Sequence, residues 1–207
     1  MRRVAWSRIL VITALVFIAL AVFFMRLGAS DEGVYAYVGS EAVSTAELER
    51  AYAQRSPVQE NLSIDEYFDE TYAPRIMILL EASELGLEVT DEEVDEWVMM
   101  INRTLATQNV TFETYLEDLN VTREELRRDI WSSTLLDKAL DVLVAREVMV
   151  SAAEVEAAYD AAGYADRGIP LEVARNEIGP VLLREKQEAR LREVIAQLEE
   201  RYDVRRV

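Results

Sequence analysis

Apolar and polar positions divide the chain into three regimes. From Ile9 to Met25 every residue is apolar except Thr13, with Arg2, Arg3 and Arg8 before the run and Arg26 closing it. As a helix, seventeen residues span about 25 Å, and Val4 to Leu27 would span about 36 Å, enough to cross a bilayer. From Val34 to Val38 the residues are β-prone, Gly39-Ser40 offers a tight turn, and Glu41-Ala42-Val43 follows. From Ser44 onward the apolar positions recur with a period near 3.6, the mark of helices with one buried face.

Helix starts are announced by Ser/Thr-x-x-Glu spacing at Ser44…Glu47, Ser63…Glu66, Thr90…Glu93, Thr122…Glu125 and Ser151…Glu154. In each, the hydroxyl caps a free backbone N–H and the carboxylate reaches back to the cap. Thr111 caps another short helix. The pattern predicts helices at 44–54, 64–72, 74–86, 90–107, 111–119, 122–147, 151–162 and 180–202, with Pro74 separating two of them and Gly86 stopping one. Val94, Trp97, Val98, Ile101 and Leu105 share a face of the 90–107 helix. The 122–147 helix carries two apolar rows, Trp131, Leu135, Ala139, Leu143 and Leu136, Leu140, Val144, and so reads as the centre of the core. Ile76 to Leu80 is apolar all round and should be buried.

Gly163, Gly168, Pro170, Gly179 and Pro180 interrupt the pattern, so residues 161–179 read as a connection with room for one helical turn at 171–177. The terminal Asp203-Val204-Arg205-Arg206-Val207 alternates like a strand. A lone strand needs a partner, and the evident one is Val34–Val38. The expected fold is mainly α, a helical domain over 34–207 with a small β pairing of its N- and C-terminal strands, preceded by one N-terminal transmembrane helix.

The flanking charges orient that helix. Three arginines precede it and one follows, succeeded by Asp31 and Glu32, so residues 1–8 face the cytoplasm, 9–27 span the membrane and 28–33 link to an exported domain. Ile9, Leu10, Phe17, Phe23 and Phe24 are the anchoring side chains. The run exceeds the usual apolar length of a signal peptide, and Arg26 crowds any cut at Gly28-Ala29-Ser30, so an uncleaved anchor is the favoured reading; a cleaved signal is the alternative.

Composition removes most enzyme classes. The 207 residues contain no Cys and no His. This excludes disulfides, thiolate zinc sites, iron–sulfur clusters, Cys nucleophiles, Ser-His-Asp triads and His-ligated metals. A net charge of −17 repels phosphates and argues against nucleic acid. Asp91-Glu92-Glu93 and Asp65-Glu66 sit where a helix first turn favours acids, which explains them without a cation. The sequons at Asn61, Asn102, Asn109 and Asn120 overlap capping residues in three cases. No phosphate loop, catalytic carboxylate pair or cofactor motif is present. Lysine occurs twice, at Lys138 and Lys186; the other basic residues are Arg.

What remains is binding. Trp97, Met99 and Met100 lie on one helix, with Tyr72 and Met77 upstream. Met and aromatic side chains make adaptable apolar surfaces for varied chains. Trp97 and Met77 also have the spacing of core residues. Met99 and Met100 cannot both face the core that holds Val98 and Ile101, so at least one reaches the surface, and these two lead the candidates.

The order of these segments resembles the SurA/PrsA-type extracytoplasmic chaperones, specifically their helical N-terminal domain, related to trigger-factor/SurA peptide-binding domains. The resemblance begins at Ala36-Tyr37-Val38-Gly39-Ser40-Glu41-Ala42-Val43-Ser44. It continues through Leu80-Glu81-Ala82, Leu85 to Val94, Phe112…Leu116, Val121 to Arg127 and Val148 to Val155, and residues 181–207 resemble the family's closing helix and strand. Relatives often carry a parvulin isomerase domain before that closing helix. Here only residues 161–177 occupy the place, and the parvulin site's His has no counterpart. The resemblance therefore implies no enzyme but a membrane-anchored, extracytoplasmic, ATP-independent holdase for unfolded or newly exported polypeptides, without isomerase activity and without a cofactor. The alternative is an accessory subunit that docks one folded partner in a membrane complex.

Overall fold

A computed structural model describes residues 33–56 and 59–207. The basic segment 1–8, the apolar run with Ile9, Leu10, Phe17, Phe23 and Phe24, and all but the end of the linker 28–33 lie outside the described residues. Among the described residues no helix is long and apolar enough to cross a membrane.

The chain opens as a hairpin, β1 (Val34–Val38) and β2 (Glu41–Ser44), paired antiparallel with Val38 opposite Glu41 and Ala36 opposite Val43. Gly39 makes the turn at φ +56°, and a Cβ there would meet the Tyr202 ring at 3.1 Å and Leu80 at 3.3 Å, so both conformation and space call for glycine. On the other side of β1 lies β3 (Val204–Arg206), antiparallel, with Val38 opposite Val204 and Ala36 opposite Arg206. The order is β2-β1-β3. The expected pairing of the two ends is therefore observed, and β1, the central strand, buries Ala36 and Val38 completely.

The capping spacing holds at every expected helix start. α1 (Thr45–Ala53) begins at Ser44, whose hydroxyl accepts from the Glu47 N–H. Full capping boxes open α2 (Ile64–Tyr67), α4 (Asp91–Thr107), α6 (Arg123–Leu143) and α7 (Ala152–Ala161), while Thr111 caps α5 (Phe112–Leu119). The Glu47 carboxylate, instead of closing its box, accepts from the buried Tyr72 hydroxyl at 3.0 Å.

Pro74 does not separate two helices. α2 runs through a π-helical turn, Phe68–Tyr72, into α3 (Ala73–Glu84). In a regular helix the Pro74 ring would press on the carbonyl four residues back. The wide turn, in which the Ala73 N–H bonds to the Phe68 carbonyl, carries the helix past that clash. A second correction concerns residues 161–179. The connection ends at Pro170, and α8 (Leu171–Arg201) runs straight through Gly179 and Pro180. Gly179 has no Cβ to collide with the proline ring, which halves the usual objection to a helical residue before proline. Burial of Ala174 and Ile178 against Val155 of α7 holds the early turns of α8 in place.

Two sequons turn out to be connectors. Asn109 and Asn120 adopt left-handed conformations, φ 56° and 52°, after α4 and α5. Val110 and Val121 each bond back to a carbonyl five residues earlier, Leu105 and Leu116, and Thr111 and Thr122 cap the next helix. Each Asn-Val-Thr triplet thus ends one helix and starts another.

Among the described residues three apolar clusters result. The main one joins β1, β2, α1, the α2–α3 run, Leu135, Ala139 and Val144 at the end of α6, and Val194 and Leu198 of α8. A second gathers Leu105, Phe112 and Leu126 where α4, α5 and the start of α6 meet. The third is the α7–α8 hairpin around Val155, Ala174 and Ile178. α3 packs between α6 and α8, so the described residues form a central body with two smaller lobes.

Candidate functional site

On α4 the buried stripe is Val94 and Leu105, with Val98 and Ile101 half-buried. At about 100° per residue, Trp97 lies roughly 60° to one side of Val94, Met100 about 120° to the same side, and Met99 on the far side. The structure follows that geometry. Trp97 is 44% exposed and Met100 47%, and both line a shallow pocket of about 320 Å³ with Glu93, Glu96 and Thr134. Met99, 51% exposed, is not among its lining residues. The two methionines therefore separate, and Trp131, one helical turn before Thr134, is 41% exposed instead of buried in the core row expected for it.

Tyr72 and Met77 belong to the main core, 8% and 2% exposed, and offer no surface to a partner. Tyr72 is clamped by Glu47 and packed against Tyr67 and Phe68, and Met77 sits on the face of α3 that meets the central body. Burial, with the Glu47 carboxylate beside it, pushes the Tyr72 hydroxyl well above the usual phenol range, so it stays a neutral donor.

A second opening is not marked by any sequence pattern. α6 and α8 flank α3, and between them runs a cleft of about 370 Å³. Leu140, Val144 and Leu191 supply its apolar walls; Asp137, Asp141, Arg184, Gln187 and Glu188 form its rim. Its two sides come from segments about forty to fifty residues apart in sequence. The only local hint was that Leu140 and Val144 continue an apolar row one face wider than a single neighbour could cover.

The two lysines brace the lobes on either side of this surface by the same device. Lys138 of α6 donates to the Glu88 carbonyl at 2.7 Å and to Glu93, the carboxylate of the Thr90 capping box. Lys186 of α8 donates to the Met149 carbonyl at 2.6 Å and to Glu154, the carboxylate of the Ser151 box. In both, the carbonyl lies two residues before the cap. A compact ammonium with three donors serves a carbonyl and a carboxylate at once, a task for which the planar guanidinium is poorly shaped. Arg190 adds a bond to the Leu143 carbonyl at 3.2 Å.

These bonds depress the carboxylates. The Lys186 bond first, then the Ser151 N–H and hydroxyl, hold Glu154 down to about 2, and Lys138 and the Thr90 N–H lower Glu93 in the same direction. The folded value lies below the unfolded one, near 4.5. The stabilisation is therefore whole above about pH 4.5 and lost as pH falls toward 2. A Lys186→Met variant should melt below the parent at neutral pH, and the gap should close as the pH is lowered to about 2. Melting curves across that range check it; a constant gap would mean that Lys186 acts through packing alone.

Among the described residues no group of three or more acidic side chains is placed to hold a metal ion. The pocket offers apolar area from Trp97 and Met100 beside the carboxylates of Glu93 and Glu96. The profile of the SurA-like N-terminal domain family matches residues 1–140, from the N-terminus through most of α6. No curated protein matches the chain.

Proposed function

The chain belongs to the SurA-like N-terminal domain family, and on that footing we propose that it is an ATP-independent holdase for unfolded or newly exported polypeptides. The observation that carries the reading is the pocket lined by Trp97 and Met100, both more than two-fifths exposed, with the equally exposed Trp131 one helical turn before its lining residue Thr134, on a domain of a chaperone-like family. A client would bury them reversibly. Each fully buried side chain of this kind contributes about 1.5–3 kcal/mol, so a few give weak, exchangeable binding once the cost of association is deducted.

The membrane belongs to the same proposal. Ile9, Leu10, Phe17, Phe23 and Phe24 would anchor the chain, with Arg2, Arg3 and Arg8 in the cytoplasm and the helical domain outside. Isomerase activity is not part of it. α7 and α8 are joined by residues 162–170, with no domain inserted, and the chain has no His for a parvulin-type site.

The test is suppression of light scattering by a chemically unfolded client, without nucleotide, beside a proline-isomerisation assay. The protein should delay aggregation and leave isomerisation at the uncatalysed rate. Replacing Trp97 and Met100 together by Ser should weaken client binding by about tenfold or more, while Met99→Ser, on the other flank of α4, should change it far less. If several clients aggregate unhindered while one folded protein co-purifies at fixed ratio, the accessory-subunit reading replaces this one.

A further inference from the structure

Resting on the holdase reading, we propose that the surface selects client segments of about six residues that are both apolar and cationic, laid along α6 from the Trp97–Met100 pocket to the Leu140–Leu191 cleft. The two openings share one helix. Thr134 lines the first and Asp137, one turn on, lines the second, followed by Leu140, Asp141 and Val144. From Trp131 to Val144 the stripe is about 20 Å long, and an extended chain at about 3.3 Å per residue covers that with six residues.

Charge decides which segments fit. Glu93 and Asp141 are committed to Lys138 and Arg146. Glu96, Asp137 and Glu188 border the openings without an ion pair or hydrogen bond among the described residues, against Arg184 as the one rim cation in the same state. The aromatic faces tell the same story. Guanidinium groups of the chain itself cover the rings of Tyr52, Phe112 and Tyr164. Among the described residues no cation covers Trp97 or Trp131, although both are exposed. An Arg or Lys of a client placed over Trp97 gains the ring quadrupole and the Glu96 carboxylate together, while its apolar neighbours reach Met100 and the cleft. A segment carrying Asp or Glu meets three unneutralised carboxylates.

The test uses the full chain and its own tryptophans, since Trp97 lines the first opening and the exposed Trp131 stands on α6 one turn before Thr134. Three labelled eight-residue peptides share a Leu/Phe/Ala frame and carry two Arg, two Gln or two Glu. Their binding is followed by tryptophan fluorescence and by label anisotropy. Affinity should fall in the order Arg, Gln, Glu, with about tenfold between the extremes at low salt. The gap should shrink in 1 M NaCl, where charges are screened within about 3 Å. A Glu96→Lys, Asp137→Lys double variant, both positions exposed and unpaired, should keep its helical circular dichroism and reverse the order. Equal affinities, an order the variant leaves untouched, or binding that changes anisotropy without perturbing tryptophan would overturn the charge-selective stripe while leaving a holdase in place. Failure to bind any of the three would overturn the holdase reading itself.

Discussion

Removing residues 203–207 should lower the melting temperature of the whole helical domain by about 10 °C, the shift expected for roughly 3 kcal/mol in a chain of this size. The loss begins with backbone pairing. β3 covers the outer edge of β1, the Gly39 N–H donates to the Asp203 carbonyl at 2.7 Å, and the Val207 N–H donates to the Tyr35 carbonyl at 3.1 Å. Without them a strand whose Ala36 and Val38 are wholly buried keeps an unpaired edge beside the main core. It ends with Arg206, whose guanidinium meets both oxygens of Asp69 at 2.7 Å, pairs with Asp65 at 3.3 Å, and lies over the Phe68 ring at 5.6 Å. Asp65 also accepts from the Tyr35 hydroxyl. Arg206→Ala keeps the strand and removes only this partly exposed network, so it should cost about 1 kcal/mol. Thermal melts of the parent, the point variant and the truncation separate the two contributions. A truncated protein that melts with the parent would show that the closing strand is dispensable.

Phe68→Ala should cost more, about 3–5 kcal/mol, a large share of the roughly 5–15 kcal/mol that holds such a domain together. Phe68 is fully buried, packs edge-on against Tyr35 at 5.0 Å and lies beside Tyr72 at 6.5 Å. It also opens the π-helical turn, and its carbonyl receives the Ala73 N–H that lets the helix pass Pro74. The cavity left by the ring would lie among groups unable to close in, because Tyr72 is held by Glu47 and β1 by both its neighbours. Urea titration should show a lower midpoint with a similar slope. A loss under about 1 kcal/mol would mean that the surrounding aromatics collapse into the gap.

Helix starts were legible in the sequence because a capping box is a conversation among four residues. Ser63 with Glu66, Thr90 with Glu93, Thr122 with Glu125 and Ser151 with Glu154 form as their spacing requires. The pairing of the chain's two strands was legible for a different reason, that a short strand cannot leave its backbone unsatisfied and only one other was on offer. The family resemblance was carried by the same local segments in order, and the profile match over residues 1–140 covers most of them.

Only the tertiary structure decided the rest. Whether Pro180 ends a helix depends on Ala174 and Ile178 finding Val155 across the α7–α8 hairpin, a burial gain that outweighs one missing backbone bond. Pro74 likewise is absorbed by a π turn because Phe68, Tyr72, Met77 and Ile78 must all reach one core from one continuous helical run. Helical periodicity placed Met99 and Met100 at the margin of a face, but α6, which sets Thr134 beside Trp97 and Met100, chose which methionine lines the pocket. The cleft between Leu140 and Leu191 exists because α3 stands between α6 and α8, and both lysines find their carbonyl and carboxylate across helices dozens of residues away. Hydrogen bonds within a turn are written in neighbouring residues; which apolar faces meet, and which are left open, depends on burial shared between distant segments.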